Sequence, residues 1–168
     1  MRTAIYPGTF DPITYGHLDV LERAIEMFDK VIVTVARNSA KSPLFTTQER
    51  MTMIRAATKK YKQVDVDSFG GLIVDYAREK KATALIRGLR AISDFEFEFQ
   101  MALMNRKLAG KYRLTTVFLM PHENHTYLNS SIIRELTRLH GDISDFVPPL
   151  VLKMLKKKMK EKESTVAL

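Results

Sequence analysis

The 168-residue chain contains no cysteine. This absence excludes disulfides, thiolate metal sites and cysteine nucleophiles, and it suits a reducing cytosol. No apolar run approaches the length of a membrane span, and the N-terminal "MRTAIYPG" reaches proline and glycine before the apolar core of a signal peptide could form. No repeat or linker divides the chain, whose composition is 45% hydrophobic and 27% charged. We therefore expect a cytoplasmic protein with one globular domain.

The net charge of +8 is concentrated at the C-terminal end of the chain. Between Lys153 and Leu168, six lysines and two glutamates contribute half of that charge. A lysine-rich end is typical of a solvated, frayed helix end and is weak evidence for a nucleic-acid partner. We predict a domain over residues 1–152, a tail over 153–168, no nucleic-acid or membrane partner, and an anionic small substrate for the remaining charge.

Strand patterns alternate with helix patterns along the chain. Short apolar or β-branched runs predict five strands, at residues 3–6, 31–36, 64–67, 84–86 and 115–120. Helical spacing predicts helices at 16–28, 72–79, 94–108 and 130–139, and a Thr46–Glu49 capping box opens another helix. This alternation predicts an α/β fold, a doubly wound parallel five-stranded sheet with helices on both faces.

The segment "DFEFEFQM" alternates aromatic and polar residues, which is a strand pattern. We interpret Asp94–Leu108 as a helix because two apolar rows continue through it at helical spacing, one from Phe97 and one from Phe95. A helix with two apolar rows is either central in the core or part of a subunit interface. In a domain this small, the interface is favoured.

Ligands of an open parallel sheet bind beyond the carboxyl ends of its strands, so the loops there are the candidate site. The first loop, "PGTFDPITYGH", is neither a Walker A motif nor G-x-G-x-x-G. Its Gly16-His17 pair stands at a predicted helix N-terminus, where backbone N–H groups attract anions. Most histidines at helix starts are capping or surface residues, but Thr9 in the same loop favours a functional reading.

The later loops add donors and positive charge. Lys41 follows the second strand, Arg87 and Arg90 follow the fourth, and Ser130 and Ser131 open a helix after the fifth. Guanidinium groups at this edge bind phosphate, and serines at a helix start add hydroxyl and N–H donors. The spacing in "HENH" matches no metalloprotease helix, so we predict no protein metal site. Cations and donors without a carboxylate pair or a Ser-His-Asp set suit charge stabilisation on a polyphosphate.

These residues lie in segments that resemble the bacterial phosphopantetheine adenylyltransferases, of the nucleotidyltransferase superfamily with the T/H-x-G-H motif. The resemblance rests on "YPGTFDPITYGH", "RGLRAISDFEFEFQMALMNR" and "SSIIRE", and it extends from Ala4 to about Leu152. It implies a Rossmann-like sheet and a homohexamer built as a dimer of trimers. It also implies a Mg²⁺-dependent enzyme of coenzyme A biosynthesis that joins ATP and 4′-phosphopantetheine to give dephospho-coenzyme A and pyrophosphate, by direct in-line attack without a covalent intermediate.

The resemblance also implies roles for individual residues. His17 would stabilise the transition state at the ATP α-phosphate. Phosphopantetheine would be bound by Thr9, Lys41, Ile73 and Arg87. ATP would be bound by Thr9, Phe10, His17, Gly88, Leu89, Arg90, Glu98, His125, Thr126, Tyr127, Leu128, Asn129, Ser130 and Ser131. The chain has Leu128 and Asn129 where the family has Ile and Ser, and His125 where an aromatic residue is common.

Two alternatives remain open at this point. Another adenylyl- or cytidylyltransferase of the superfamily, such as one acting on nicotinamide mononucleotide, would share the first loop but not the "RGLR…DFEFE" block. A nucleic-acid-binding module would interleave aromatic and basic residues along one groove, whereas the basic residues here stand on separate loops.

Overall fold

A computed structural model describes residues 1–37 and 42–166. Its strands are β1 (Thr3–Gly8), β2 (Lys30–Ala36), β3 (Val64–Phe69), β4 (Ala84–Gly88) and β5 (Thr115–Leu119). Its helices are α1 (Tyr15–Met27), α2 (Thr47–Thr58), α3 (Ile73–Glu79), α4 (Ile92–Ala109), α5 (Ser130–Arg138) and α6 (Pro149–Val166), with a short 3₁₀ turn at Glu123–His125. Every predicted strand and helix is present, and its ends lie within three residues of the prediction.

The five strands form one parallel sheet in the order β3-β2-β1-β4-β5. The predicted doubly wound α/β fold is therefore confirmed. The chain proceeds from β1 outward to β3 and then crosses to β4 on the other side of β1, so the order reverses between β1 and β4. In such sheets the ligand crevice lies at this switch point, beyond the carboxyl ends of the two strands.

Alternating side chains of β1, β2 and β4 enter two separate cores. In β2, Val31, Val33 and Val35 belong to a core shared with α1, α2, α5 and α6, whereas Ile32 belongs to a core shared with α3 and the end of α4. The β-branched run is buried on both faces, as strands of a covered parallel sheet are. Helices therefore pack on both faces of the sheet.

Helix α6 crosses the boundary between the predicted domain and the predicted tail without a break. Val151 and Leu155 are fully buried in the larger core, and the Lys158 ammonium lies 2.9 Å from the Glu49 carboxylate of α2. The first half of α6 is thus part of the packed domain. Among the described residues no helix is both long enough and apolar enough to cross a membrane.

Helix α4 confirms that "DFEFEFQM" is helical. Its two apolar rows face away from the chain's own core, because Phe97 is 63% exposed and Met104 55% exposed. The same is true, to a smaller degree, of Phe95, Phe99, Met101, Leu103 and Leu108. We call these seven side chains the α4 apolar face.

Candidate active site

A cleft of about 550 Å³ opens at the switch point of the sheet. The first loop forms its floor, the end of β4 and the start of α4 form one side, and the start of α5 forms another. Of the predicted site residues, the cleft brings together Thr9, Phe10, His17, Arg87, Gly88, Arg90, Glu98, His125, Leu128, Asn129, Ser130 and Ser131.

His17 occupies the third position of α1, where it completes a capping box with Thr14. The Thr14 backbone N–H donates to His17 Nδ1 over 3.1 Å, and the Thr14 hydroxyl lies 2.8 Å from the same nitrogen. A ring nitrogen that accepts an N–H bond carries no proton. Neutral His17 therefore bears its proton on Nε2, which makes Nε2 a hydrogen-bond donor.

The protonation state of His17 follows from its surroundings. Burial and, secondarily, the positive charge of Arg90 lower the pKa of His17 to about 4. The imidazole is neutral near pH 7, so it can donate one hydrogen bond from Nε2 but supplies no full positive charge. Its chemistry is that of a fixed dipole donor rather than of a titrating acid.

Phe10 borders the cleft, but it packs against the His17 ring and is almost fully buried. Its ring is only 2% exposed, and it makes edge contacts with Tyr6 at 5.3 Å and with His17 at 5.2 Å between ring centroids. Its backbone has a positive φ of 48°, which is uncommon for an aromatic residue. A Cβ on Gly8 would come within 2.8 Å of this ring, so the ring requires a glycine there. The structure thus places Phe10 as a support for the imidazole.

The start of α1 is closed by the protein itself. The Tyr15 N–H donates to the Phe146 carbonyl, and the His17 N–H donates to the Thr14 hydroxyl. A Cβ on Gly16 would come within 3.2 Å of the His125 carbonyl oxygen. Gly16 therefore permits close approach of the loop before α5, and two of the N–H groups expected to meet phosphate are already bonded.

Arg87 extends from the end of β4 into the cleft. Its guanidinium forms a bidentate pair with the Glu98 carboxylate of α4 and donates to the Pro7 carbonyl over 2.9 Å. Burial acts to lower the pKa of Arg87, but the Glu98 carboxylate outweighs burial and holds that pKa above its usual value. Arg87 is therefore a fixed, permanently charged group with donors left over.

Arg90 and the start of α5 complete the polar lining. Arg90 lies 3.1 Å from the Asp94 carboxylate, one turn along the chain. The Asn129 side chain caps α5 by accepting the Ile132 N–H over 2.8 Å, and the Ser130 hydroxyl donates to the Pro12 carbonyl over 2.8 Å. Asn129 thus performs the capping that a serine would otherwise perform.

Four of the predicted site residues that the structure describes do not line the cleft. Leu89 donates its N–H to the Leu119 carbonyl, Thr126 bonds to the Glu123 carbonyl, and Tyr127 packs against Phe146. Ile73 packs against the core on the other face of the sheet. Lys41 lies outside the described residues.

Other cleft residues were not predicted. They include Tyr6, Asp11, Asp94, Phe97 and Arg134. Asp94 and Arg134 stand four residues after Arg90 and Ser130, so helical spacing could have found them. Asp11 could not be found in this way, because its partners are 33 to 123 residues distant in the sequence.

The described residues contain no group of three His, Asp or Glu side chains that could hold a metal ion. Each carboxylate in the cleft, of Asp11, Asp94 and Glu98, is paired with an arginine. This donor set fits a cation that arrives on phosphate oxygens, since Mg²⁺ keeps several waters and is commonly bound through substrate phosphates.

Comparison with known proteins agrees with this geometry. The sequence profile of a family described as cytidylyltransferase-like matches residues 5–136. The phosphopantetheine adenylyltransferase of Alkaliphilus metalliredigens is 51% identical over 158 residues, which cover 94% of this chain and 99% of that protein. The enzyme of the same name from Geobacter sulfurreducens is 54% identical over 157 residues, which cover 94% of each chain.

A third relative, from Caldanaerobacter subterraneus subsp. tengcongensis, bears the same name and is 49% identical over 161 residues, covering 96% of this chain and 99% of its own length. These relatives are about half identical to the chain over nearly the whole length of both proteins. The structure adds a parallel sheet with its cleft at the switch point and a neutral histidine at the start of the first helix. The chain therefore belongs to the phosphopantetheine adenylyltransferase family of nucleotidyltransferases.

Proposed function

We propose that this enzyme transfers AMP from ATP to 4′-phosphopantetheine, giving dephospho-coenzyme A and pyrophosphate in the cytoplasm. An oxygen of the phosphopantetheine phosphate attacks the α-phosphorus of ATP. A new oxygen–phosphorus bond forms, and the bond from the α-phosphorus to the bridging oxygen breaks. Pyrophosphate leaves with that electron pair, so no group of the protein becomes covalently attached.

The observation that carries this proposal is the neutral His17 with its proton on Nε2. Negative charge grows on the α-phosphate oxygens as the attacking and leaving oxygens share the phosphorus. A pre-oriented donor stabilises that charge more in the transition state than in the ground state. Thr14 holds the imidazole in the donor tautomer, and Phe10 supports its ring.

The substrates occupy the two sides of the cleft. Arg87, with Thr9, binds the phosphate of phosphopantetheine. Lys41 and Ile73 are further residues that the family resemblance assigns to this substrate, although Ile73 lies outside the cleft lining. The start of α5, with Ser130, Ser131 and Arg90, binds the ATP phosphates, and the 3₁₀ turn at Glu123–His125 lies against the adenine end. Glu98 acts through Arg87, because its carboxylate fixes the guanidinium at the cleft.

Mg²⁺ enters with ATP in this proposal. When bound, it would supply positive charge that offsets the charge of the phosphate groups. Because the carboxylates of Asp11, Asp94 and Glu98 are paired with arginines, most of its ligands would come from ATP rather than from these side chains. The protein alone should therefore bind Mg²⁺ weakly, whereas the protein with ATP should require it for turnover.

The α4 apolar face supports assembly into a homohexamer, a dimer of trimers. Seven large apolar side chains, each at least 41% exposed, stand on this one helix. Contiguous apolar surface of this kind marks protein interfaces. A second copy of the chain is the partner we propose, since oligomers of soluble proteins are mostly homomeric and symmetric.

The activity is tested by incubating the protein with ATP, Mg²⁺ and 4′-phosphopantetheine and following pyrophosphate release. A parallel reaction replaces phosphopantetheine with nicotinamide mononucleotide. Pyrophosphate release with phosphopantetheine as the acceptor, and not with nicotinamide mononucleotide, supports the proposal. Release only with nicotinamide mononucleotide, or with neither acceptor, contradicts it.

A further inference from the structure

Asp11 is a buried carboxylate in the floor of the cleft, and its partners are three residues from two separate segments of the chain. The residue is 3% exposed. Its Oδ2 accepts the Leu44 N–H over 2.8 Å, and its Oδ1 accepts the Phe45 N–H over 2.9 Å. The Arg134 guanidinium lies 3.3 Å from Oδ2. Both carboxylate oxygens are thus satisfied by donors, as a buried charge requires.

These partners lie in or next to two different parts of the cleft lining. Leu44 and Phe45 follow directly after Ser42 and Pro43, which line one wall. Arg134 lines the α5 wall, where its second guanidinium nitrogen lies 3.2 Å from the Ser131 hydroxyl. The same arginine also donates to the Asp11 backbone carbonyl. One carboxylate therefore connects the two walls.

Arg50 is a second buried charged residue that bonds to the first loop. It is 1% exposed, and its Nη1 donates to the Thr9 carbonyl over 2.8 Å and to the Ala36 carbonyl over 3.3 Å. Burial lowers the pKa of Arg50, and the negative charge of Asp11 opposes that shift. Arg50, at the start of α2, therefore links the first loop to the end of β2. Asp11 links the same loop to residues 44–45, just before α2.

We propose that Asp11 is a positioning residue that sets the spacing between the 42–43 wall and the α5 wall of the cleft. In-line transfer requires the attacking oxygen and the leaving oxygen to lie on opposite sides of one phosphorus. If each wall carries one substrate, the spacing of the walls fixes the distance over which attack occurs. This inference rests on the proposed function, which assigns the ATP phosphates to the start of α5 and phosphopantetheine to a subsite that includes Lys41, the residue before Ser42.

Asp11→Asn is the direct test, because the amide has the shape of the carboxylate. Every group around the two oxygens is a donor, so the new NH₂ group must face a donor and the walls must shift. A misplacement of about 1 Å can cost about 100-fold in rate. We expect kcat to fall about 10- to 100-fold, while the Kd of ATP alone and the Kd of phosphopantetheine alone each change less than about 3-fold.

Arg134→Met breaks the same connection from the α5 side, at a side chain that is 31% exposed and tolerates substitution better. The double variant with Asp11→Asn should lose little more than either single variant, because both remove one link. Asp29→Asn is the matched control, since Asp29 is exposed and bonds to the N-terminal residues outside the cleft. Its kcat should equal that of the wild type.

The wild-type reaction is measured first, so that failure of the proposed function shows itself there and not in the variants. Given wild-type turnover, three results would overturn the inference. One is a folded Asp11→Asn protein with wild-type kcat. Another is a loss that lies entirely in the Kd of one substrate. The third is additive losses in the double variant. If Asp11→Asn does not fold, a wild-type kcat for Arg134→Met is equally decisive against it.

Discussion

The cleft and the α4 apolar face use their side chains in opposite ways. In the cleft, polar groups are paired within the chain: His17 with Thr14, Arg87 with Glu98, and Arg90 with Asp94. On the outer face of α4, large apolar side chains such as Met104 and Leu108 are turned toward solvent. The cleft is therefore pre-organised by one chain, whereas the α4 apolar face is left exposed by that chain and is the surface that we propose a second copy covers.

The first prediction concerns His17, the histidine of the pre-organised cleft. His17→Ala removes the Nε2 donor, and kcat should fall about 10²–10³-fold, as for removal of one oxyanion-hole donor. The Kd of ATP should change far less, because the bond strengthens mainly in the transition state. His140→Asn is the control, since asparagine tolerates the positive φ of 58° at that exposed position. A folded His17→Ala protein with near wild-type turnover would contradict the assignment.

The second prediction concerns the substrate clamp. Arg87→Lys keeps the positive charge but cannot form the bidentate pair with Glu98. The KM for phosphopantetheine should rise about 10-fold, the size expected when a charge-assisted bond of about 1.4 kcal/mol is lost, with a smaller change in kcat. Steady-state kinetics with each substrate varied in turn provide the measurement. An effect confined to the KM for ATP would place Arg87 in the other subsite.

The third prediction tests whether the α4 apolar face forms an interface between copies of the chain. Met104→Glu, together with Leu108→Glu, places two charges on the part of the α4 apolar face that lies outside the cleft. The wild type should form a hexamer in light scattering at micromolar concentration, and the variant should form smaller species while its helical content is preserved. Lys111→Glu, a charge change outside α4, is the control. A wild type that is monomeric at that concentration would remove the interface proposal altogether.

The fourth prediction follows from the low pKa of His17. The folded pKa of about 4 lies below the ordinary 6.5, so between these values the unfolded chain binds a proton that the folded chain does not. Above about pH 6.5 the titration of His17 does not change the free energy of unfolding. As the pH falls from 6.5 toward 4, that free energy should decrease by about 1–3 kcal/mol. Urea unfolding at pH 7.5 and pH 5 should show this loss in the wild type.

The matched variant for the pH experiment is His17→Asn, which cannot take up a proton in this range. Its free energy of unfolding should change less than that of the wild type between pH 7.5 and pH 5. Equal changes in both proteins would mean that His17 titrates normally in the folded state. Nitrogen NMR of the wild-type imidazole at pH 7 should show the proton on Nε2.

The smallest effect is expected at the C-terminal end. Truncation after Lys160 leaves Val151, Leu155 and the Lys158–Glu49 pair in place. Pyrophosphate release and oligomeric state should therefore be unchanged. Truncation after Leu152 is the contrasting variant, because it removes the fully buried Leu155, and a large-to-small change at such a site costs about 2–5 kcal/mol. If the shorter deletion alone abolished assembly, the residues after Lys160 would have a structural role.

The sequence by itself determined the fold class and the edge of the sheet that carries the cleft. Periodicity located the strands and helices because the side-chain period of each element depends only on local backbone geometry. The Thr46–Glu49 capping box is confirmed for the same reason, since both of its bonds join residues three apart. The positions of His17, Arg87 and Ser131 at the cleft follow from the rule for parallel sheets.

Only the tertiary structure decided what these residues do to one another. The sequence could not show that Phe10 supports His17 from below, that Glu98 holds Arg87, or that Asp11 joins residues 44–45 to Arg134, since these contacts link segments from 7 to 123 residues apart. The low pKa of His17 likewise depends on burial and on the nearby Arg90. The burial of a side chain and the charges around it depend on all the segments that pack against it, whereas a local sequence pattern describes only one segment.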